Sequence, residues 1–286
     1  MDAGAERKAE GGEALAFLYV TYNIMQKDLL SLILQAGNIA QNEILKHWKT
    51  ALGVEWKADA TPVTIADKMA EELVRNFALK ETPEFGFIGE EFGEENPAAE
   101  YQWTLDPIDG TKSFIYGVPL FGTVMAILKK GVPVAGLIQL PALNSKIWAT
   151  AGGGAFTDGG MAIKVSDTGE LKNSLVLSGT INTIESKGYG EWFANIRKNA
   201  KLYRGWGDCY GYYLVACGKA EIMTDPVASL WDIAPYPLIF AEACGAFSTL
   251  EGEKSLFSNG KPLRPIHEGY SAIASNGRFE IPLPCK

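Results

Sequence analysis

The chain has 286 residues, a formal charge of −8 at pH 7 and 47% hydrophobic residues. That length suits one large domain or two closely associated ones, and the composition is globular rather than disordered or fibrous. An acidic balance lacks the basic face that a nucleic acid or an anionic membrane surface requires, so neither is expected as a partner.

Residues 1–24, rich in Ala, Gly and Glu, read as an N-terminal extension. Asp2, Glu6, Glu10 and Glu13 precede only a short apolar run, Ala14 to Val20. A secretory leader wants a basic start and a transit peptide avoids acids, so a cytoplasmic protein is expected, or a stromal one if the source is a plant with its transit peptide removed. From Met25 to Trp48, Leu29, Leu30, Ile33, Leu34, Ala40, Ile44 and Leu45 recur at helical spacing. A second amphipathic helix is expected to bury Ile65, Met69, Leu73, Val74 and Phe77, with Lys68, Glu71, Glu72 and Arg75 on its outer face.

The middle of the chain favours strands: 101–105, 121–128, a turn at Lys129-Lys130-Gly131, then 132–140. Further short strands at 147–149 and 162–165 are expected to flank Gly152-Gly153-Gly154. The last third alternates: strand 175–178, helices 190–199 and 210–217, strand 221–223, helix 232–243 and strand 271–275. Helices interleaved with strands predict stacked α/β layers. No linker divides them, so residues 25–286 read as one catalytic body with sub-halves of about 25–165 and 166–286.

The densest chemistry is Trp103-Thr104-Leu105-Asp106-Pro107-Ile108-Asp109-Gly110-Thr111. A strand ending at Asp106 followed by Pro at a helix's first position would put both carboxylates on one side of a turn. The Gly110 and Thr111 N–H groups would then cradle an anion. Asp106, Asp109 and the Ile108 carbonyl form an all-oxygen set that suits Mg²⁺. The alternative is that Asp106 caps a helix and Asp109 favours its dipole. Capping is also open to Asp232, in Trp231-Asp232-Ile233, and a dipole-favouring place in the first turn to Asp67, in Pro62-Val63-Thr64-Ile65-Ala66-Asp67. Glu90 and Glu91 follow an apolar run and a turning glycine, Gly89.

Together these motifs, in this order, resemble the inositol monophosphatase family of Mg²⁺-dependent phosphatases, from about residue 25 to the end. Arg204-Gly205-Trp206-Gly207-Asp208-Cys209-Tyr210-Gly211 and Lys112-Ser113-Phe114 look most like its histidinol-phosphate phosphatase branch. The resemblance implies an α/β fold of the α+β type, a layered α-β-α-β-α sandwich, and a homodimer. It implies two to three Mg²⁺ ions: Glu90, Asp106 and the Ile108 carbonyl on one, Asp106, Asp109 and Asp232 on a second, with Glu90 and Asp67 near a third. Thr111 and Glu90 would orient the attacking water. The D-x-D-G-T of haloacid-dehalogenase phosphatases differs, because Asp106 and Asp109 are three apart, so metal ligation rather than a phospho-aspartate is expected.

The resemblance also places Gly110, Thr111, Gly207, Asp208, Cys209 and Asp225 beside a small phosphorylated substrate, with Arg204 steering its phosphate. An acid at Asp208 suits a cationic substrate, so hydrolysis of L-histidinol phosphate in histidine biosynthesis is the expected activity. The rivals are inositol phosphate, other sugar or nucleotide phosphates, and a silent regulatory protein on the same fold. For Arg204 and Asp208 the alternative is a surface ion pair, for Asp225 a turn, and for Trp206, Tyr210 and Tyr212 core packing. The triple glycine lacks the Lys-Ser/Thr of a P-loop, so it reads as structural. His47 and His267, the only histidines, read as solvent-facing and as a loop residue. Cys209, Cys217, Cys244 and Cys285 read as reduced, small core residues.

Overall fold

A computed structural model describes residues 28–50, 54–56, 62–266 and 269–284. The N-terminal extension, His267 and Cys285 lie outside the described residues. Helix α1 (28–47) is followed by a small antiparallel ribbon, β1 (Val54–Trp56) and β2 (Pro62–Thr64), and by α2 (Ile65–Glu81). Next come β3 (Gly86–Gly89), β4 (Gly93–Glu95), β5 (Tyr101–Asp109), the one-turn helix α3 (Thr111–Ile115), β6 (Gly122–Lys129), β7 (Val132–Leu140), β8 (Ser145–Thr150) and β9 (Gly154–Thr157). The remainder holds β10 (Leu175–Ser178), α4 (Ile181–Ser186), α5 (Gly190–Asn199), β11 (Leu202–Arg204), α6 (Asp208–Ala216), β12 (Ile222–Ala228), α7 (Leu230–Ile233), α8 (Tyr236–Glu242) and β13 (Ala246–Ser248). A second ribbon, β14 (Phe257–Ser258) with β15 (Lys261–Pro262), precedes β16 (Tyr270–Ser275).

Strands β3 to β9 form a seven-stranded sheet in the order β4-β3-β5-β6-β7-β8-β9, antiparallel except for β3 against β5. A five-stranded mixed sheet has the order β11-β10-β12-β16-β13. Three apolar clusters lie between successive layers, which gives the expected α-β-α-β-α sandwich. One joins α1 and α2 to the first sheet, a second packs α6, α7 and α8 between the sheets, and a third seats α5 on the second sheet. Period-2 alternation makes this possible. In β6, Met125 and Ile127 face the first cluster while Val124, Ala126 and Leu128 face the second.

The β6–β7 hairpin closes as expected, with positive φ at Lys130 and Gly131, the two-residue geometry whose twist matches its strands. Four expectations fail. The stripe on α2 is turned: Ile65, Met69 and Leu73 are exposed, and Ala66, Ala70, Val74 and Ala78 face the sheet together with a fully buried Glu71. Alanine lets the helix lie close to the strands, which larger side chains would hold off. Residues 162–165 make only a bridge, Ala162 to Phe156, and no strand. The 232–243 helix is two helices, α7 and α8, separated at Ala234-Pro235 because Pro235 cannot donate into a continuing helix. Cys244 is exposed in a left-handed conformation after α8 rather than in the core.

Candidate active site

β5 runs through Pro107 to Asp109, so Asp106-Pro-Ile-Asp is strand and not the start of a helix; α3 begins only at Thr111. The β5–β6 register steps from Asp106↔Val124 to Asp109↔Gly122, three residues on one strand against two on the other. This bulge re-aims the side chains at the strand end, as bulges beside active sites do. It also accommodates Pro107, whose carbonyl accepts from Thr123 Oγ1 at 2.8 Å. Gly110 then turns the chain at φ +84°, a left-handed value that glycine adopts without strain. A β-carbon there would sit 3.1 Å from Asp208 Oδ2.

Five elements, α2, β3, α6, β12 and α7, bring carboxylates to this strand end. Asp67 and Asp232 sit in the first turns of α2 and α7 and do cap them. Asp67 Oδ2 accepts from Thr64 N–H at 2.8 Å and from Thr64 Oγ1 at 2.6 Å, and Asp232 Oδ2 accepts from Ser229 N–H at 2.7 Å. Capping and membership of the cluster are therefore compatible, since each cap uses one oxygen of two. Glu90 follows β3, and its N–H donates to the Leu105 carbonyl of β5 at 3.2 Å, which ties its turn to the strand that carries Asp106.

Asp106 is buried, while Asp109, Asp208, Asp225 and Asp232 keep part of their surface exposed. Loss of water is nevertheless the largest cause of each shift, because an ionised carboxylate is poorly solvated among protein atoms. Asp106 is pushed well above the usual carboxylate range by burial and then by Glu90, Asp109 and Asp232. Asp109 is pushed well above it by burial and then by Asp208, Asp232 and Asp225, opposed by the Cys209 N–H that donates to its Oδ2. Burial and Glu90 raise Asp232 to about 8, against the Ser229 N–H. Burial raises Asp67 to about 7 against both Thr64 bonds, with Glu90 and Glu91 adding to the rise. Asp225 also reaches about 7 through burial and Asp208, eased by the Tyr212 hydroxyl and the Gly179 N–H. Asp208 is raised by burial and lowered by Lys112. Mutual repulsion of this kind marks functional sites.

The residues fit divalent cations. Asp106 Oδ1 is buried with no hydrogen-bond donor among the described residues. The carboxylates of the cluster and the Ile108 carbonyl offer oxygen, the chemistry that hard Mg²⁺ prefers. The Ile108 carbonyl accepts from Thr111 Oγ1 at 3.0 Å and keeps a second lone pair. Among the described residues no three His, Cys, Asp or Glu side chains are gathered tightly enough to form a ready cage. Mg²⁺ tolerates that, because it usually takes one or two carboxylates and fills its octahedron with water and substrate oxygens.

Gly207 caps α6 and packs against Gly179, where a β-carbon would come within 2.5 Å of the Gly179 Cα. Asp208 holds φ +54°, uncommon for a residue with a side chain. Cys209 is buried, and burial and Asp109 push its thiol well above its usual value. Arg204 stands apart: it is exposed, and its Nη1 donates to the neighbouring Tyr203 carbonyl at 2.8 Å. Among the described residues it pairs with no carboxylate, and Asp208 faces Lys112 instead of the expected Arg204 alternative. Trp206 is exposed, whereas Tyr212 is core, stacked on Tyr236 with ring centroids 4.1 Å apart. The triple glycine binds an acid of its own chain, Gly152 and Gly154 N–H donating to Glu242 at 2.6 and 2.8 Å. His47 is half-buried against Glu43 at 3.0 Å.

Sequence reasoning missed Glu71, whose place beneath the Glu90 turn is hidden by its polar character. A polar residue on the small-residue face of α2 was the available signal.

The model of the inositol monophosphatase family matches residues 25–278. The chain belongs to that family. This member is similar to the histidinol-phosphatase of Chlorobaculum parvum, 39% identical over 88% of this chain and 97% of that one. It is also similar to the histidinol-phosphatase of Mycobacterium tuberculosis, 35% identical over 79% and 84% of the two chains. Among solved structures, an inositol monophosphatase from Zymomonas mobilis superposes with a TM-score of 0.75 at 29% identity, covering 88% and 93%. As a family member it works on a small phosphorylated substrate, and among its described residues no helix is long and apolar enough to cross a membrane.

Proposed function

We propose that this family member is a Mg²⁺-dependent phosphoric monoester hydrolase that releases phosphate from L-histidinol phosphate. The observation that carries the substrate is the Asp208–Asp225 pair, acidic and beside Asp109. A neutral polyol gains little from two extra carboxylates, whereas an ammonium and an imidazole gain charge-assisted hydrogen bonds. Relatives named for that activity support the reading.

Glu90, Asp106, Asp109, Asp232 and the Ile108 carbonyl would hold two ions, with Asp67 near a third. Bound there, the metal supplies Lewis acidity toward phosphoryl oxygens and acidifies the attacking water. The chain's own part is positional. The β5 bulge fixes Asp106 and Asp109, and the Ser229 and Thr64 caps fix one oxygen each of Asp232 and Asp67. The Thr111 hydroxyl is held on the Ile108 carbonyl with its lone pairs available, and it and Glu90 would orient water. Gly110 and Thr111 would admit the phosphate, and Gly207, Asp208, Cys209 and Asp225 the organic group. Arg204 would act on the phosphate only from a distance. The catalytic body is residues 25–286, in halves of about 25–165 and 166–286, and it assembles as a cytoplasmic homodimer.

The test is phosphate release from L-histidinol phosphate and from inositol 1-phosphate, with Mg²⁺ and with EDTA. Expected are turnover only with Mg²⁺ and a kcat/KM for histidinol phosphate at least about tenfold higher. Preference for inositol phosphate would overturn the substrate, and undiminished turnover in EDTA the metal.

A further inference from the structure

We infer that Glu71 is a positioning residue for the metal-binding acids, the post that holds the Glu90–Glu91 turn against α2. The inference rests on the proposed metal reading of Glu90 and Asp67. Glu71 is fully buried on α2, one helical turn beyond Asp67. Its carboxylate accepts three charge-assisted or backbone bonds. Glu91 N–H donates to Oε2 at 2.8 Å, Phe92 N–H to Oε1 at 3.1 Å, and Arg75 Nη2 to Oε1 at 2.8 Å. The same Arg75 nitrogen donates to the Gly93 carbonyl at 2.8 Å, and the guanidinium lies over the Phe87 ring at 4.3 Å. The turn is thus tied to Glu71 itself, and strands β3 and β4 to its ion-pair partner Arg75.

Gly89 completes the fit. A β-carbon at Gly89 would come within 2.0 Å of Glu71 Oε1, so only glycine lets the strand end close on the carboxylate. Asp67 and Glu71, at i and i+4, share a face of the helix. Asp67 faces Glu90 and Glu91 while Glu71 holds the turn that carries them. The helix therefore sets the spacing between two acids of the site, one directly and one through backbone N–H groups. A buried ion pair of this kind contributes little net stability and is better explained by the geometry it enforces.

The test is calorimetric titration of Mg²⁺ into the metal-free full chain, alongside its thermal midpoint in EDTA. In Glu71→Gln one acceptor oxygen becomes an NH₂ facing donors, and Mg²⁺ affinity is expected to fall about tenfold, the usual effect of losing such a supporting group. Gly89→Ala displaces the carboxylate without altering it and is expected to act alike, which covers the case in which Glu71→Gln does not fold. A purely structural role would lower the midpoint and leave Mg²⁺ affinity unchanged; that result in a folded variant overturns the inference. Absence of Mg²⁺ binding by the unaltered protein would overturn the metal reading instead.

Discussion

Two groups of carboxylates meet at the end of β5, and they differ in what stands next to them. Asp106 and Asp232 are raised chiefly by burial and then by other acids, Glu90 foremost among these, with only the Ser229 N–H easing Asp232. Asp208 and Asp225 have partial relief, from Lys112 in one case and from the Tyr212 hydroxyl and Gly179 N–H in the other. The same side chain therefore has two uses. A crowd of like charges with no neighbouring base is stable at neutral pH only when protonated or when divalent cations are present. An organic cation bound beside Asp208 and Asp225 would favour their ionised forms. On the proposed metal reading, the net charge of −8 is consistent with an acidic cluster that cations would neutralise rather than with an aversion to phosphate esters.

The comparison breaks first at Asp106. Asp106→Asn keeps the shape and removes the charge, and turnover on every substrate is expected to fall at least about 10³-fold, roughly 4 kcal/mol of transition-state stabilisation. The midpoint in EDTA is expected not to fall, because a repelled buried acid has been neutralised. Residual turnover of a tenth or more on any substrate would remove Asp106 from the first group.

Next in size is the pH dependence of the metal-free protein. Folded Asp67 and Asp225 titrate near 7 and Asp232 near 8, all above the value of about 4 in the unfolded chain. The folded state thus binds more protons between these limits, and its stability falls as pH rises. Stability is full below about pH 4 with respect to these groups and is lost progressively up to about pH 8. Thermal midpoints in EDTA at pH 5.5 and 8.5 measure it, and saturating Mg²⁺ is expected to cancel most of the difference. A midpoint that rises with pH in EDTA would contradict the crowding.

The second group is sharpened by Asp225→Asn. The kcat/KM for histidinol phosphate is expected to drop about 30-fold, near 2 kcal/mol, while that for inositol phosphate changes little. Equal losses on both substrates would merge the two groups into one.

Much of this was legible because strong local signals agreed. The 132–140 and 175–178 strands and the 190–199 helix follow from alternation and periodicity, and the acids gather because their motifs end or begin elements. What failed is instructive. In α2, Ile65, Met69 and Leu73 outweigh three alanines in any hydrophobic pattern, yet close packing on a sheet prefers the alanines. Charge alone places Glu71 outward, although Arg75 and two turn N–H groups satisfy it inside. Asp106 and Asp109 share a site through a bulge, which depends on the register of β6 and is invisible along β5 alone.

The smallest effect belongs to Arg204, and it tests whether the motif or the geometry is the better guide. Its neighbours in sequence, Gly207, Asp208 and Cys209, turn into the site at the start of α6. Arg204 ends β11, exposed and bonded to its own chain through Tyr203. A charge at that position acts on an approaching phosphate only through water and salt, over distances that a Debye length of about 8 Å at 0.15 M ionic strength screens. Arg204→Ala is therefore expected to change kcat/KM less than about twofold at that ionic strength, with the larger part of any effect appearing at low salt as a slower encounter. Measuring kcat/KM at two ionic strengths separates steering from contact. A salt-independent loss of tenfold or more would mean that Arg204 swings inward onto the phosphate, and the acids of the site would then share one fixed cation besides their metals.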